Sequence, residues 1–183
     1  MDNRWQGKTV ACIASGPSLT AEDCAFVEQA GVPVIAVNSS WKLARFADIV
    51  FAGDFGWWKA YSGEIDIEAE KWSSAGTAAR HFGLHHFKIG GPYNSGSRAV
   101  QLAIELGASR ILLLGYDASV KHGTHWHGDH KQTKNPDEIR CLKWHAHFAA
   151  IDRKGVEIIN CTRETELTCF PKMKLEDVLC LHS

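Results

Sequence analysis

Apolar runs rich in β-branched residues recur along the 183-residue chain, and segments of helical periodicity lie between them. The predicted strands are residues 8–14, 32–37, 48–53, 86–89, 110–114 and 156–160. The clearest predicted helices are residues 20–30, 97–106 and 136–154. Continuous apolar strands that alternate with helices are typical of a parallel sheet covered on both faces. We therefore predict a Rossmann-like α/β fold, with a mostly parallel sheet of about six strands and helices on both faces.

Two further patterns refine this outline. Thr20 begins the first predicted helix as its N-cap, and Asp23 stands where a capping box would be completed. Residues 60–81 fit neither periodicity clearly, so we expect an inserted or irregular segment there. The sequence has no Pro- or Ser-rich linker, and one domain over residues 1–183 is the simplest organisation.

Composition and charge exclude several classes of protein. The chain is 45% hydrophobic and 22% charged, and its formal net charge is −1. No basic run exceeds two residues, which argues against nucleic acid as a partner captured by charge. The sequence has no apolar stretch of membrane-spanning length, and its first residues lack the apolar core of a signal peptide. We expect a cytoplasmic protein without a membrane partner.

Cysteine and tryptophan usage adds two expectations. The six cysteines show no Cys-x-x-Cys spacing, so we expect reduced thiols and no disulfide framework. Trp57, Trp58 and Trp72 could pair subunits in a homo-oligomer, line a cleft or pack in the core. The oligomeric state therefore stays open.

Residues 14–19, Ala-Ser-Gly-Pro-Ser-Leu, directly follow the first predicted strand and lead into the first helix. A strand that turns tightly into a helix presents backbone N–H groups and the positive end of the helix dipole to an anion. Gly16 permits a ligand to approach the backbone closely, and Pro17 fixes the turn. Ser15, Gly16, Pro17 and Ser18 are therefore candidate nucleotide-binding residues. An ordinary βα turn is the alternative.

Polar residues also close the other predicted strands, and the carboxyl ends of parallel strands share one edge of a sheet. Asn38 could hydrogen-bond a base or ribose, or could cap the next turn. Asp54 could hold a ribose hydroxyl or a metal-bound water, or could cap the helix that begins near Phe55. Asp117 could contact a sugar, a metal or a catalytic base, or could accept hydrogen bonds that close a loop.

A second candidate anion site precedes the helical pattern of residues 97–106. Asn94, Ser95 and Gly96 place small polar residues and a glycine at that helix start, and we count all three as candidate nucleotide-binding residues. A plain serine N-cap is the alternative, although it does not account for the adjoining Gly-Gly-Pro-Tyr segment.

Histidines concentrate in one short segment. His122, His125, His127 and His130 lie within nine residues, together with Asp129. The last part matches the H-x-H-x-D-H metal-ligand pattern of the metallo-β-lactamase superfamily, but that family places the pattern directly after a strand and needs further ligands far downstream. One imidazole acting as general base, with the others positioning a substrate phosphate, fits a short loop. A histidine-rich lid without chemistry is a further alternative.

Taken in order, these motifs resemble those of the bacterial sialyltransferases of glycosyltransferase family 42 and of a related family that includes archaeal 6-hydroxymethylpterin diphosphokinase-like proteins. The sialyltransferases read Gly-Asn-Gly-Pro-Ser-Leu at the first turn, which matches residues 14–19 at four of six positions. They also have an Asn after the second strand, a Thr-Ser-Gly before an apolar helix, and a Ser-Gly-Ile-Asp after the next strand. Asn38, residues 95–96 and Asp117 match these positions, and the resemblance extends over residues 8–160.

The resemblance implies roles for the histidines. The family's catalytic loop reads His-Tyr-Ile-Gly-His, and alignment of its glycine makes His130 the first choice for the general base and His127 the second. The loop after the fifth predicted strand lacks the paired tyrosines that hold the donor phosphate in that family. His122, His125 or Lys121 could replace them. The His-Trp-His-Gly-Asp-His segment also resembles that of phage-encoded relatives.

These features together predict a nucleotide-dependent transferase. The leading hypothesis is glycosyl transfer from a nucleotide-sugar to a small-molecule or glycan hydroxyl, with His130 as base and Asp117 orienting the sugar or the catalytic loop. The alternatives are pyrophosphoryl transfer with Mg²⁺ held by Asp54 and Asp117, a nucleotide-binding protein without turnover, and a metal-dependent hydrolase built on the histidine segment. Mg²⁺ is thus a possible cofactor, required by the pyrophosphoryl-transfer hypothesis. Which histidines would bind a metal in the hydrolase hypothesis stays open.

Overall fold

One seven-stranded sheet, in which neighbouring strands pair parallel, forms the centre of the computed structural model, which describes residues 3–91 and 93–179. The strands are β1 (Thr9–Ile13), β2 (Val34–Val37), β3 (Ile49–Phe51), β4 (Glu70–Ser73), β5 (His85–His86), β6 (Arg110–Leu114) and β7 (Glu157–Asn160). The predicted Rossmann-like α/β class is confirmed, with one strand more than the sequence predicted.

Six α-helices connect or follow these strands in the described residues. They are α1 (Ala21–Ala30), α2 (Phe55–Tyr61), α3 (Gly76–Phe82), α4 (Ser95–Glu105), α5 (Glu138–Ala149) and α6 (Leu175–Val178). The predicted capping box of α1 is confirmed, because the Thr20 hydroxyl accepts from the Asp23 N–H at 3.2 Å and the Asp23 carboxylate accepts from the Thr20 N–H.

The strand that the sequence did not predict is β4, which lies within residues 60–81. Trp72 and Ser73 are its buried residues, whereas Glu70 and Lys71 are only partly buried. β4 pairs with β3 on one side and with the short, exposed edge strand β5 on the other. A strand with this mixture of environments needs no continuous apolar run, so periodicity alone does not reveal it.

Element boundaries also differ from the prediction, and α5, for example, spans Glu138–Ala149 where residues 136–154 were predicted. α4 begins at Ser95, earlier than predicted, because Asn94 is its N-cap and the Asn94 Oδ1 accepts from the Ser97 N–H at 2.8 Å. The predicted fourth strand, residues 86–89, is reduced to His85–His86. These differences do not change the order of the elements.

The strand order β5-β4-β3-β2-β1-β6-β7 reverses direction at β1. The chain moves outward from β1 through β5 on one side, and it then returns to place β6 and β7 on the other side. β1 and β6 pair along their whole length, from Thr9 opposite Arg110 to Ile13 opposite Leu114. In open parallel sheets, ligands bind outside the carboxyl ends of the strands where the order reverses.

Both faces of the sheet are covered by helices, as predicted. Val10 and Cys12 of β1 belong to an apolar cluster that includes residues of α4 and α5. Ala11 and Ile13 belong to the cluster on the opposite face, with residues of α1, α2 and α3. This alternation follows from the two-residue period of a strand. Burial of apolar area on both faces is the main stabilising contribution, at about 25 cal/mol per Å².

The three tryptophans have the core packing that the sequence allowed, with exposed fractions of 2% for Trp57, 0% for Trp58 and 9% for Trp72, and Trp57 also lines a cavity at the carboxyl edge of the sheet. The free cysteines of the described residues are Cys12, Cys24, Cys141, Cys161 and Cys169. Cys180 and Pro92 lie outside the described residues, as do residues 1–2 and 181–183. Within residues 3–91 and 93–179, none of the helices combines the length and the apolar character that crossing a bilayer requires.

An ion pair joins the N-terminal segment to β4. Glu70 Oε2 accepts hydrogen bonds from Arg4 Nη2 at 2.8 Å and from Trp72 Nε1 at 2.7 Å. The Arg4 guanidinium lowers the pKa of the Glu70 carboxyl from 4.5 to about 2. Because the folded-state pKa is the lower one, the pair contributes its full stabilisation above pH 4.5 and loses it as the pH falls toward 2.

We predict that Glu70→Gln lowers the free energy of unfolding at neutral pH by about 0.5–1 kcal/mol, the range of partly exposed ion pairs. The difference from the unmodified protein should shrink as the pH falls below 4.5. Denaturant unfolding at several pH values measures it, and Glu68→Gln at the neighbouring exposed position is the control. A deficit independent of pH would contradict this assignment.

Candidate functional site

A cavity of about 890 Å³ lies at the carboxyl edge of the sheet, where the turns after β1, β2, β3 and β6 meet the start of α4. The predicted site residues that line it are Ser15, Gly16, Asn38, Asp54, Asn94, Ser95, Gly96, Asp117, His125 and His130. Those that do not line it are Pro17, Ser18, His122 and His127. The sequence motifs, although scattered along the chain, are therefore brought together at one place.

The floor of the cavity is the contact between the turn after β1 and the turn after β6. The Gly16 N–H donates to the Gly115 carbonyl at 2.9 Å. Asp117 accepts from the Ser18 N–H at 3.0 Å and from the Ser18 hydroxyl at 2.9 Å. A Cβ atom on Gly16 would lie 2.1 Å from Asp117 Oδ1 and 2.5 Å from the Gly115 carbonyl oxygen. The glycine is therefore required by the close approach of the two turns.

This contact changes the interpretation of residues 14–19. The sequence predicts that their backbone N–H groups face an anion, yet those of Gly16 and Ser18 donate to acceptors of the β6 turn. Asp117 is buried, with 5% of its surface exposed, and burial raises the pKa of its carboxyl. The loop-closing role considered for Asp117 is thus present in the structure.

Asn38 combines a strained backbone with an unsatisfied side chain. It follows β2 with φ at +52°, in the left-handed region where asparagine is one of the more tolerant residues. Its Oδ1 atom is buried and has no hydrogen-bond partner among the described residues. The side chain lines the cavity. Strain and an unpaired buried acceptor at one position are typical of a ligand-binding residue.

Asp54 and Ser95 connect the end of β3 to the helices beside it. Asp54 caps α2, with its Oδ1 accepting from the Trp57 N–H at 2.8 Å. The Ser95 hydroxyl accepts from the Gly53 N–H at 3.0 Å. Asp54 is a helix cap, and both Asp117 oxygens accept hydrogen bonds from Ser18. These contacts are those of structural residues, and they give no support to a Mg²⁺ site on the two carboxylates.

The start of α4 is the second candidate anion site, and Asn94 caps it, since the Asn94 Oδ1 accepts from the Ser97 N–H at 2.8 Å. Asn94, Ser95 and Gly96 line the cavity in the first turn of an 11-residue helix. The first N–H groups of a helix have no acceptor within the helix, and the dipole adds positive potential there. Gly96 is closely packed, because a Cβ atom on it would lie 2.9 Å from the Tyr116 ring.

Three of the clustered histidines face one another. The rings of His125 and His127 are stacked, with their centroids 5.1 Å apart and an interplanar angle of 9°. The His130 ring lies 4.4 Å from that of His125 and 4.9 Å from that of His127. Their candidate ligand atoms all lie within 4.8 Å of one another. We call His125, His127 and His130 the imidazole cluster.

Local hydrogen bonds hold the imidazole cluster over the β1 turn. The Ser15 carbonyl accepts from the Trp126 N–H at 3.1 Å. Gly128 has φ at +79°, and its N–H donates to the His125 carbonyl at 3.0 Å, which closes a tight turn. Asn135 fixes the other end, since its Oδ1 accepts from the His130 N–H at 2.7 Å. The loop is therefore anchored at both ends.

Burial lowers the pKa of His125 and of His130 to about 4, and interactions among the clustered imidazoles act in the same direction. Burial also lowers the pKa of His127, and the Lys42 charge adds to this. All three rings are consequently neutral at pH 7, and each carries one nitrogen lone pair. Such a ring can bind a metal ion or accept a proton, and the lowered pKa makes it a weaker base than an ordinary imidazole.

His122 and Asp129 are not part of the group of candidate metal ligands. His122 is largely exposed, and its Nε2 atom is 3.3 Å from a Glu164 carboxylate oxygen. The Asp129 carboxylate accepts from the Thr124 hydroxyl at 2.5 Å. The group that could hold a metal ion, among the residues described, consists of the three histidines and does not include Asp129. This composition departs from the H-x-H-x-D-H ligand pattern.

The cavity also contains residues that sequence reasoning missed. Three basic and two aromatic side chains of this kind contribute to its walls: Lys131, Lys134, Arg140, Tyr93 and Trp144. Lys131 directly follows His130 and Lys134 comes three residues later, and this closeness in sequence was an available signal. No local pattern points to Trp144, which reaches the cavity from within α5.

Comparisons with protein-family models, with curated proteins and with solved structures gave no match to this chain. The resemblance to glycosyltransferase family 42 therefore rests on the order of its short motifs and remains a hypothesis.

We predict that Gly16→Ala lowers the free energy of unfolding by about 1–3 kcal/mol, because the new methyl group would overlap Asp117 and the Gly115 carbonyl. Denaturant unfolding monitored by tryptophan fluorescence measures the change. Gly63→Ala is the matched control, because a Cβ atom there meets no heavy atom within 4 Å. Equal stability of the two variants would show that the turns are not in the close contact described.

Proposed function

We propose that this protein is a nucleotide-dependent transferase that moves a glycosyl group from a nucleotide-sugar to a hydroxyl acceptor. The observation that carries the proposal is the convergence of Gly16, Asn38, Ser95 and His130 on one cavity. The cavity volume of about 890 Å³ suits a small molecule such as a nucleotide-sugar, because small-molecule sites typically measure about 300–1,000 Å³. Its place at the reversal of strand order is where such sheets bind nucleotides.

The unsatisfied Asn38 oxygen supports recognition of the nucleoside. A buried acceptor without a hydrogen bond costs roughly 1–3 kcal/mol, and a ligand that donates to it removes that cost. The amino group of a base and the hydroxyl group of a ribose are both suitable donors. Asn38 lies on the cavity wall with this atom unpaired among the described residues.

The charge around the cavity supports binding of the donor phosphates. Lys131, Lys134 and Arg140 line it, together with the start of α4. These groups bring three positive charges to the cavity, which Asp54 and Asp117 also line, and Arg140 lies 3.8 Å from a carboxylate oxygen of Asp137. Because the Gly16 and Ser18 N–H groups are engaged, the phosphates belong beside α4 and the lysines and not in the β1 turn.

The position of His130 supports a role as the proton acceptor. In the proposed reaction the acceptor oxygen bonds to the anomeric carbon, the bond from that carbon to the phosphate oxygen breaks, and the nucleotide leaves with the electron pair. The acceptor's proton passes to a neutral imidazole. His130 lines the cavity and His127 does not, so His130 is the candidate. Asp117 is a positioning residue, since it holds the Ser18 turn beneath.

We predict that nucleotides or nucleotide-sugars raise the melting temperature of the protein and that Asn38→Gly weakens their binding by about three- to tenfold. The glycine tolerates φ at +52° and removes only the amide, whose hydrogen bond is worth about 0.5–1.5 kcal/mol. A thermal-shift panel followed by calorimetry measures both effects. A complete panel of nucleotides without any binding would overturn the proposed function.

We predict that His130→Gln reduces transfer by about 10²- to 10⁴-fold, the usual contribution of a general base, and leaves nucleotide affinity within about threefold. Release of free nucleotide from a panel of nucleotide-sugars, with and without added saccharides, provides the assay. His86→Gln is the control, because His86 is exposed on the edge strand β5. Undiminished turnover by His130→Gln would reject the assigned role.

A further inference from the structure

We propose that the imidazole cluster binds one divalent transition-metal ion of the zinc class at the wall of the cavity. Three nitrogen donors on one short loop, with their candidate ligand atoms within 4.8 Å of one another, are the observation that carries this inference. It stands on geometry and does not rest on the proposed transferase function.

The spacing is close to that of a formed site. Zinc–nitrogen bonds are about 2.0–2.1 Å long, so two nitrogens bound to one tetrahedral ion lie about 3.3 Å apart. The candidate ligand atoms lie up to 4.8 Å apart, so the most distant pair would have to approach by roughly 1.5 Å to bind one ion. Side-chain rotations of His125, His127 and His130 can supply this, because each ring pivots about two single bonds.

Two of the three rings have a nitrogen without a hydrogen-bond partner. The Nε2 atoms of His125 and His127 are both buried, and neither has a partner in the described part of the chain. A buried nitrogen without a partner carries an unmet desolvation cost, which binding of a metal ion would remove.

The donor set selects the class of ion. Three imidazole nitrogens suit Zn²⁺, Co²⁺, Ni²⁺ or Cu²⁺, whereas Mg²⁺ and Ca²⁺ require oxygen ligands. Asp129 accepts from the Thr124 hydroxyl and stands outside the group, so the residues fit one ion and not a pair. Three protein ligands leave a fourth coordination position for a water or a substrate oxygen.

That fourth position has a defined surrounding. His125 and His130 line the cavity and His127 lies behind them, so an ion held by all three adjoins the space proposed for the acceptor. A water at that position would lose its proton near neutral pH. An ion held by all three rings would occupy the lone pair of His130, so His130 could act as the general base only in the metal-free protein.

Titration of chelator-treated protein with Zn²⁺ and Co²⁺ tests the inference. We expect one ion per chain by calorimetry, and a visible Co²⁺ spectrum of tetrahedral type. His127→Gln should weaken binding by more than about tenfold, because loss of outer-shell partners alone costs about 10- to 100-fold. His86→Gln should bind as the unmodified protein does. The metal-free melting curves of both variants should match that of the unmodified protein, which checks their folding.

Several outcomes would overturn the inference. They are the absence of binding at micromolar metal, equal affinity in His127→Gln and the unmodified protein, and loss of binding in His86→Gln, which would indicate adventitious surface capture. Nucleotide binding measured on the same metal-free samples keeps the two proposals separate. Nucleotide affinity without metal affinity would end this inference alone, and metal affinity without nucleotide affinity would end the transferase proposal alone.

Discussion

The contact between the turns after β1 and β6 is the constraint on which the functional edge of this protein depends. Both groups of donors on the first turn, the Gly16 N–H and the Ser18 N–H and hydroxyl, are satisfied by the second turn. Because β1 and β6 are the strands at which the order reverses, this contact fixes the floor of the cavity. Asp117 is buried there as an acceptor, and it leaves no room for a side chain at position 16.

Much of the fold could be predicted because its central strands are apolar on both faces. β1 and β6 are buried along nearly their whole length, and their continuous hydrophobic runs identify them without ambiguity. β4 has polar residues at its start, and its place in the sheet follows from pairing with β3 rather than from an apolar run of its own. Local periodicity does not contain that information.

The candidate site was predictable to the extent that parallel topology determines it. Polar residues that end neighbouring parallel strands must meet at one edge, and Gly16, Asn38 and Asp117 do so. What each residue does there was not predictable. The engagement of the Ser18 N–H depends on Asp117, 99 positions later in the chain. The placement of His125 and His130 beside His127 likewise results from the path of a loop, which the spacing of the histidines in the sequence does not determine.

The Ser15 carbonyl accepts from the Trp126 N–H, so main-chain atoms dock the histidine segment onto the first turn. Every amino acid supplies this acceptor. Substitution at position 15 by another small residue would therefore preserve the docking, although the 5% exposure of Ser15 excludes large side chains. The loop contact thus limits the size of the side chain at this position and makes no demand on its hydroxyl group.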